Sequence, residues 1–141
     1  FKTTFRELFG GGSASLELED REHVLDCGVE IRVQPPGKTQ KTLTLLSGGE
    51  RAFVAIALYF AIMKVRPTPF CVLDEIESAL DEKNVARFAD YLRKVCDRTQ
   101  FLVITHRRGS MERADVLYGV TMQEGVSKVL SLDLEEALKK Y

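Results

Sequence analysis

The chain has 141 residues, 45% hydrophobic and 29% charged, enough apolar material to bury a core without disulfide or metal staples. Lys and Arg number 20 against 21 Asp and Glu, and the net charge of −1 excludes a whole-chain attraction to nucleic acid or anionic membrane. Three cysteines (Cys27, Cys71, Cys96), with no CxxC or CxxH spacing, exclude a disulfide framework or zinc site and point to a reducing, cytoplasmic setting.

Residues 1–12 join a short apolar-basic segment to a glycine run that must turn. Phe1 is no natural initiator, so the chain is expected to be a piece of a longer protein, and no signal peptide is visible. Ser15–Glu19 and Val29–Val33 alternate apolar and polar residues, the period of half-buried strands, and the connection between them suits an antiparallel pair. Gln34-Pro-Pro-Gly-Lys38 forms a loop. A helix is expected over about 48–64, stopped by Pro67 and Pro69; its apolar run Ala52–Met63 is too short to cross a bilayer and suits burial on most faces.

Phe70–Leu73 is a continuously apolar strand, the pattern of burial on both sheet faces. Val85, Phe88, Ala89, Leu92 and Val95 set a helix over about 82–95, with Cys71 as a small core residue before it. A strand at Gln100–Thr105, a short helix near Met111 and strands at about 115–122 and 126–131 follow. Asp133 and Glu136 suggest a capped terminal helix. Alternating strands and helices through the middle argue for an α/β fold, mainly a parallel sheet flanked by helices with antiparallel edge strands.

Four short motifs carry candidate chemistry. Leu46-Ser47-Gly48-Gly49-Glu50 opens the apolar helix. Glycines allow close backbone approach to an anion, Ser47 offers a hydroxyl, and the helix N-terminus supplies free N–H groups. Ser-x-x-Glu is equally a capping box, although paired glycines in a first turn cost helix stability. Asp74 and Glu75 end the first core strand, at the sheet edge where open α/β folds bind ligands. There Asp74 could orient Mg²⁺ and Glu75 could polarise an attacking water; the plainer alternative is helix-capping acids. Asp81 closes Ser78-Ala79-Leu80-Asp81 as a helix N-cap, with room for a functional role. His106 ends the second core strand, one sheet position from the paired acids, where it could meet a phosphate. Gly37-Lys38-Thr39 imitates the end of a phosphate-binding loop, but position 32 is Arg where GxxxxGK[ST] needs glycine, and no helix follows.

In this order and spacing the motifs resemble the signature, Walker B, D-loop and H-switch of ABC-type ATPases. The stretch from LSGGERAFVAIALYF through DEIESALD to THRRGSMERADVLYGVTMQEGVSK is similar to the head of bacterial SMC (structural maintenance of chromosomes) proteins. Glu50 stands where transporter domains usually carry Gln; Ile76 and Ser78 are conservative departures from the usual DEVEAALD. DNA-repair relatives of the RecN or RecF type are the nearest rivals, and a transporter nucleotide-binding domain fits less well.

The resemblance implies that residues 13–141 form the C-terminal half of the head and residues 1–12 its junction with a returning coiled coil. The P-loop would then lie in the N-terminal half. It implies ATP and Mg²⁺ as ligands, Glu75 and His106 as catalytic groups and Asp74 as metal-orienting. Ser47, Gly48, Gly49, Glu50 and Asp81 would act toward ATP on a second head. Implied partners are the N-terminal half, a second SMC head in a homodimer, a ScpA-type kleisin near residues 115–141, and DNA for the whole complex, with no membrane. Lys38, Lys41, Arg107 and Arg108 are expected to be solvated charges. The alternative is a kleisin-binding interaction module, inactive alone.

Overall fold

The computed structural model describes residues 1–39 and 41–133. It begins with a helix, α1 (Lys2–Phe9), where the sequence suggested only a junction. Phe5, Leu8 and Phe9 lie on one face and are buried, and Phe9 stacks toward Phe53 at 4.6 Å between ring centroids. Gly10 ends the helix at φ 71, a left-handed conformation that favours glycine, and its N–H bonds the Arg6 carbonyl.

The chain then forms an antiparallel ribbon, β1 (Ser13–Leu18) and β2 (Val29–Gln34), with Ala14 opposite Val33. Those two residues face the core, whereas Leu16, Leu18 and Val29 toward the far end are exposed. A two-residue strand, β3 (Lys41–Thr42), extends the ribbon, and a 3-10 turn at Leu43–Leu45 leads into α2 (Gly48–Val65).

Two helices hold the centre. α2 buries Phe53, Val54, Ile56, Ala57 and Phe60, while Arg51, Ala55, Tyr59 and Ile62 form an exposed stripe. α3 (Glu82–Val95) presents Val85, Phe88, Ala89 and Leu92 at the expected spacing. Phe60 is the hub, with Phe88, Tyr91 and Phe101 all within 6.2 Å of its ring centre. Truncating it to Ala would cost about 3–5 kcal/mol through lost burial and the cavity left behind.

Between and beyond the helices run β4 (Phe70–Asp74) and β5 (Gln100–Ile104), paired in parallel with Asp74 beside Ile104. Cys71 and Leu73 are buried, Phe101 and Val103 partly so, against the helical core. The opposite face is open. Phe70 is 60% exposed, Val72 54%, Leu102 48% and Ile104 54%. The expectation of burial on both faces is thus corrected: among the described residues, only one face of the pair is covered. After α4 (Arg108–Met111), β6 (Val116–Gln123) and β7 (Val126–Asp133) form a hairpin. Its turn is Glu124-Gly125, both at positive φ, as a tight two-residue hairpin turn requires. Asp133 belongs to this strand, and the rest of the expected terminal helix lies outside the described residues. Among the described residues, no helix is long and apolar enough to cross a membrane.

Candidate functional site

The N-terminus of α2 is a complete capping box. The Ser47 hydroxyl accepts from the Glu50 N–H at 3.3 Å, and the Ser47 N–H donates to Glu50 Oε2 at 3.1 Å. Lys38 adds an ion pair, its Nζ lying 2.7 Å from Glu50 Oε1. The lysine of the imitation phosphate loop therefore braces the capping turn while its side chain stays 51% exposed, a solvated charge that also has a partner. Lys38, and next the Ser47 backbone, hold the Glu50 carboxyl at about 2, against an ordinary 4.5. Ser47 and Gly48 are exposed, and the space around Gly48 is open. Gly49 differs: an added Cβ would lie 2.9 Å from the carbonyl oxygen of Ala79. The Ser47 turn and the Ser78–Asp81 segment consequently pack against each other.

At the C-terminal edge of the parallel pair, Asp74 projects as an exposed carboxylate. Glu75 follows at φ 47, a left-handed conformation uncommon outside glycine, and its N–H bonds the Ile104 carbonyl at 3.0 Å. Strain of this kind collects where a side chain must be aimed. His106, from the end of β5, brings Nδ1 to 3.2 Å from Glu75 Oε1. An ionised carboxylate only accepts, so the ring nitrogen donates. Asp81 caps α3 by accepting the Asn84 N–H at 2.8 Å. The expected capping role is real, and the carboxylate remains exposed.

Two residues of this region were missed as site components. Arg107 is not a solvated charge: its side chain is only 21% exposed, and Nη2 donates to the Leu80 carbonyl at 2.9 Å. Glu77 is 1% exposed and accepts from Ser110 Oγ at 3.0 Å. Charge in a sequence suggests solvent, and neither burial had a local signature. Arg108, by contrast, is solvated as expected, its exposed side chain paired with Glu112 one turn on.

Among the described residues, no three His, Cys, Asp or Glu side chains group as a metal cage. A lone exposed Asp74 next to Glu75 fits the other mode of Mg²⁺ binding, in which one or two carboxylates, water and substrate phosphates share the ion. The four motifs thus meet along one edge, joined by Gly49 with Ala79, Leu80 with Arg107, and His106 with Glu75.

Comparison with known proteins places this arrangement in context. Residues 17–128 match the model for the RecF/RecN/SMC N terminal domain. The chain is 67% identical over 137 residues to the chromosome partition protein Smc of Bacillus subtilis, covering 96% of this chain but 12% of that relative. Its fold is similar to a solved SMC ATPase described by ATP-driven dimerization and DNA-stimulated activation (TM-score 0.88, 45% identity, 99% of this chain and 84% of that one). It is similar also to an Smc head with extended coiled coil bound to the C-terminal domain of ScpA from Pyrococcus furiosus (TM-score 0.87, 46% identity, 99% of this chain and 35% of that one). The chain spans about an eighth of the length of the curated relatives it matches.

Proposed function

The chain belongs to the RecF/RecN/SMC family, and we propose that it is the C-terminal half of an SMC ATPase head that works in chromosome partition. The matched family model is named for an N-terminal domain; our placement rests on the motif order. Signature, paired acids, D-loop and H-switch run from Leu46 to His106, and no phosphate-binding P-loop occurs anywhere in the chain. The observation that carries the catalytic reading is Glu75, at strained φ 47, with His106 Nδ1 3.2 Å from its carboxylate.

The division of labour is as follows. ATP is gripped by the P-loop of the N-terminal half, outside this chain. Asp74 is the residue that would hold Mg²⁺, which would supply neutralisation of charge on the phosphates. Glu75 orients and deprotonates the attacking water. His106 contacts the γ-phosphate. Because its Nδ1 already donates to Glu75, a phosphate contact by a ring N–H at Nε2 requires a second proton on the imidazole or a change of partner. Ser47, Gly48 and Gly49 face the γ-phosphate held by a second head, Asp81 reaches across the same interface, and Glu50 caps and orients the Ser47 turn. ATP thereby joins two heads and hydrolysis releases them.

The open face of β4 and β5 is covered by the N-terminal half of the same head. DNA is the substrate of the whole complex. A ScpA-type kleisin docks on the later strands, where Tyr118, Val120 and Met122 are exposed. That exposure also favours a second reading, an interaction module without activity of its own. A pull-down of a kleisin C-terminal domain without ATP tests binding apart from catalysis.

The catalytic reading is tested in the full-length protein. Glu75→Gln is expected to keep ATP binding, accumulate engaged dimers in sedimentation and lower kcat at least about 100-fold, the scale of a lost general base. Hydrolysis at the parental rate would remove Glu75 as the base. Ser47→Arg is expected to leave ATP binding by single heads intact and to prevent ATP-driven dimers; dimers of that variant would refute the contact in trans.

A further inference from the structure

Residues 106–110 lace the turn 75–82 at three points. His106 Nδ1 meets Glu75 Oε1 at 3.2 Å, at the turn's beginning. Ser110 Oγ donates to the buried Glu77 carboxylate at 3.0 Å, near its middle. Arg107 holds its end, with Nη2 2.9 Å from both the Leu80 carbonyl and Glu82 Oε1. The two anchors of Arg107 are the residues on either side of Asp81. Asp81 itself is tied to α3 by its capping bond from Asn84.

The guanidinium is held at some expense. Its Nε is buried with no partner among the described residues, a desolvation penalty that a surface salt bridge alone would not offset. What that position secures is the path of the backbone around Asp81. Both contacts come from the one nitrogen Nη2. Arg suits the task better than Lys because Nη2 lies one bond farther from the backbone than a lysine Nζ and is fixed by the planar guanidinium. Two consecutive side chains thus set opposite ends of the turn: His106 the end bearing Glu75, Arg107 the end bearing Asp81.

We propose that Arg107 is a positioning residue for ATP hydrolysis, fixing the Leu80–Glu82 backbone so that Asp81 and Glu75 keep their relative placement when two heads engage. This rests on the roles given to Glu75 and Asp81 above. A displacement of about 1 Å in such a constellation costs up to ~100-fold in rate.

The test is steady-state ATPase kinetics of the full-length protein, with thermal melts alongside. Arg107→Ala is expected to lower kcat about 10-fold or more while KM for ATP and nucleotide affinity stay within about twofold, because the P-loop grip is untouched. Arg107→Lys, whose Nζ ends one bond short of the Nη2 position, is expected to fall between the two. A folded Arg107→Ala protein with parental kcat overturns the proposal, as does a parallel loss of kcat and nucleotide affinity. If the alanine variant does not fold, parental kcat in Arg107→Lys overturns it instead. Glu75→Gln run in parallel separates the failures. Lost hydrolysis there with normal Arg107 variants sinks only the positioning role, whereas parental hydrolysis there sinks the catalytic reading beneath it.

Discussion

Gly49 faces the carbonyl oxygen of Ala79 so closely that an added Cβ would lie 2.9 Å from it. The atom opposed is backbone, which cannot rotate aside, so the turn or the helix must shift. Gly48, one residue earlier, has open space. The two glycines of the motif thus differ: Gly49 is required by packing inside this chain, whereas the open space at Gly48 is compatible with the proposed contact to a second head. Gly49→Ala is expected to destabilise the protein by about 1–3 kcal/mol, the scale of forced overpacking. Gly48→Ala is expected to leave stability within about 0.5 kcal/mol, as at other surface positions, and to impair ATP-driven head dimers. Denaturant melts and sedimentation of both variants check this; equal stability loss in both would refute the distinction.

Lys38 and Glu50 give a prediction about acid. The folded-state carboxyl sits at about 2, below its ordinary 4.5, with Lys38 the largest cause. A depressed pKa contributes stability that is fully present above about 4.5 and is lost as pH falls through about 2. Lys38 is half exposed, so screening limits the pair. Lys38→Met is expected to destabilise by about 1 kcal/mol near neutral pH, and the gap to the parent should shrink as pH falls below about 4. Urea melts at pH 7 and pH 3 measure it. A gap of equal size at both would assign the effect to packing of the lysine stem.

Ser110 and Glu77 form a buried pair whose removal can be graded. Glu77 is 1% exposed and its Oε2 has no partner among the described residues, so Ser110 Oγ carries much of its satisfaction. Ser110→Ala is expected to destabilise by about 1–3 kcal/mol, because a buried acceptor is left behind. Melts of Ser110→Ala and Ser110→Thr, the second keeping a hydroxyl, separate the lost bond from lost shape. Similar melts for parent and alanine variant would show that the hydrogen bond contributes little.

What the sequence made legible was local. The Asp81 cap and the Val85–Val95 spacing located α3 at Glu82–Val95, and Ser-x-x-Glu located the start of α2 at Gly48. Asp74, Glu75 and His106 were found because apolar runs of strand length end in them. The contacts that organise the site were not legible, because they join residues far apart in sequence. Arg107 to Leu80 spans 27 positions and Ser110 to Glu77 spans 33. Charged residues such as Lys38 and Arg107 look solvated until a partner is brought to them. α1 is only eight residues long, and its signal is the i, i+4 spacing of Phe1, Phe5 and Phe9, whose rings pair along the helix; Phe9 with Phe53 ties it to the rest of the core. The apolar runs of β4 and β5 suggest cover on both faces, whereas among the described residues one face is open; composition cannot say which chain segment would cover it.

That open face supplies the last prediction. Val72 and Ile104 are each 54% exposed, on the same sheet face as Phe70 and Leu102 and next to the edge that carries Asp74. Adjacent apolar side chains on an uncovered sheet mark a surface that is buried in a larger assembly or prone to self-association. If the N-terminal half of the head covers it, Val72→Glu in the full-length protein places a carboxylate in an apolar contact. The expected loss is then at least about 2 kcal/mol, the scale of burying an unpaired polar group, together with lost ATPase activity. If solvent bathes the face in the full protein, the change should stay within about 0.5 kcal/mol. Thermal melts of the full-length protein decide between these outcomes. Retained stability and retained hydrolysis together would refute the proposal that an N-terminal half of the head covers this face.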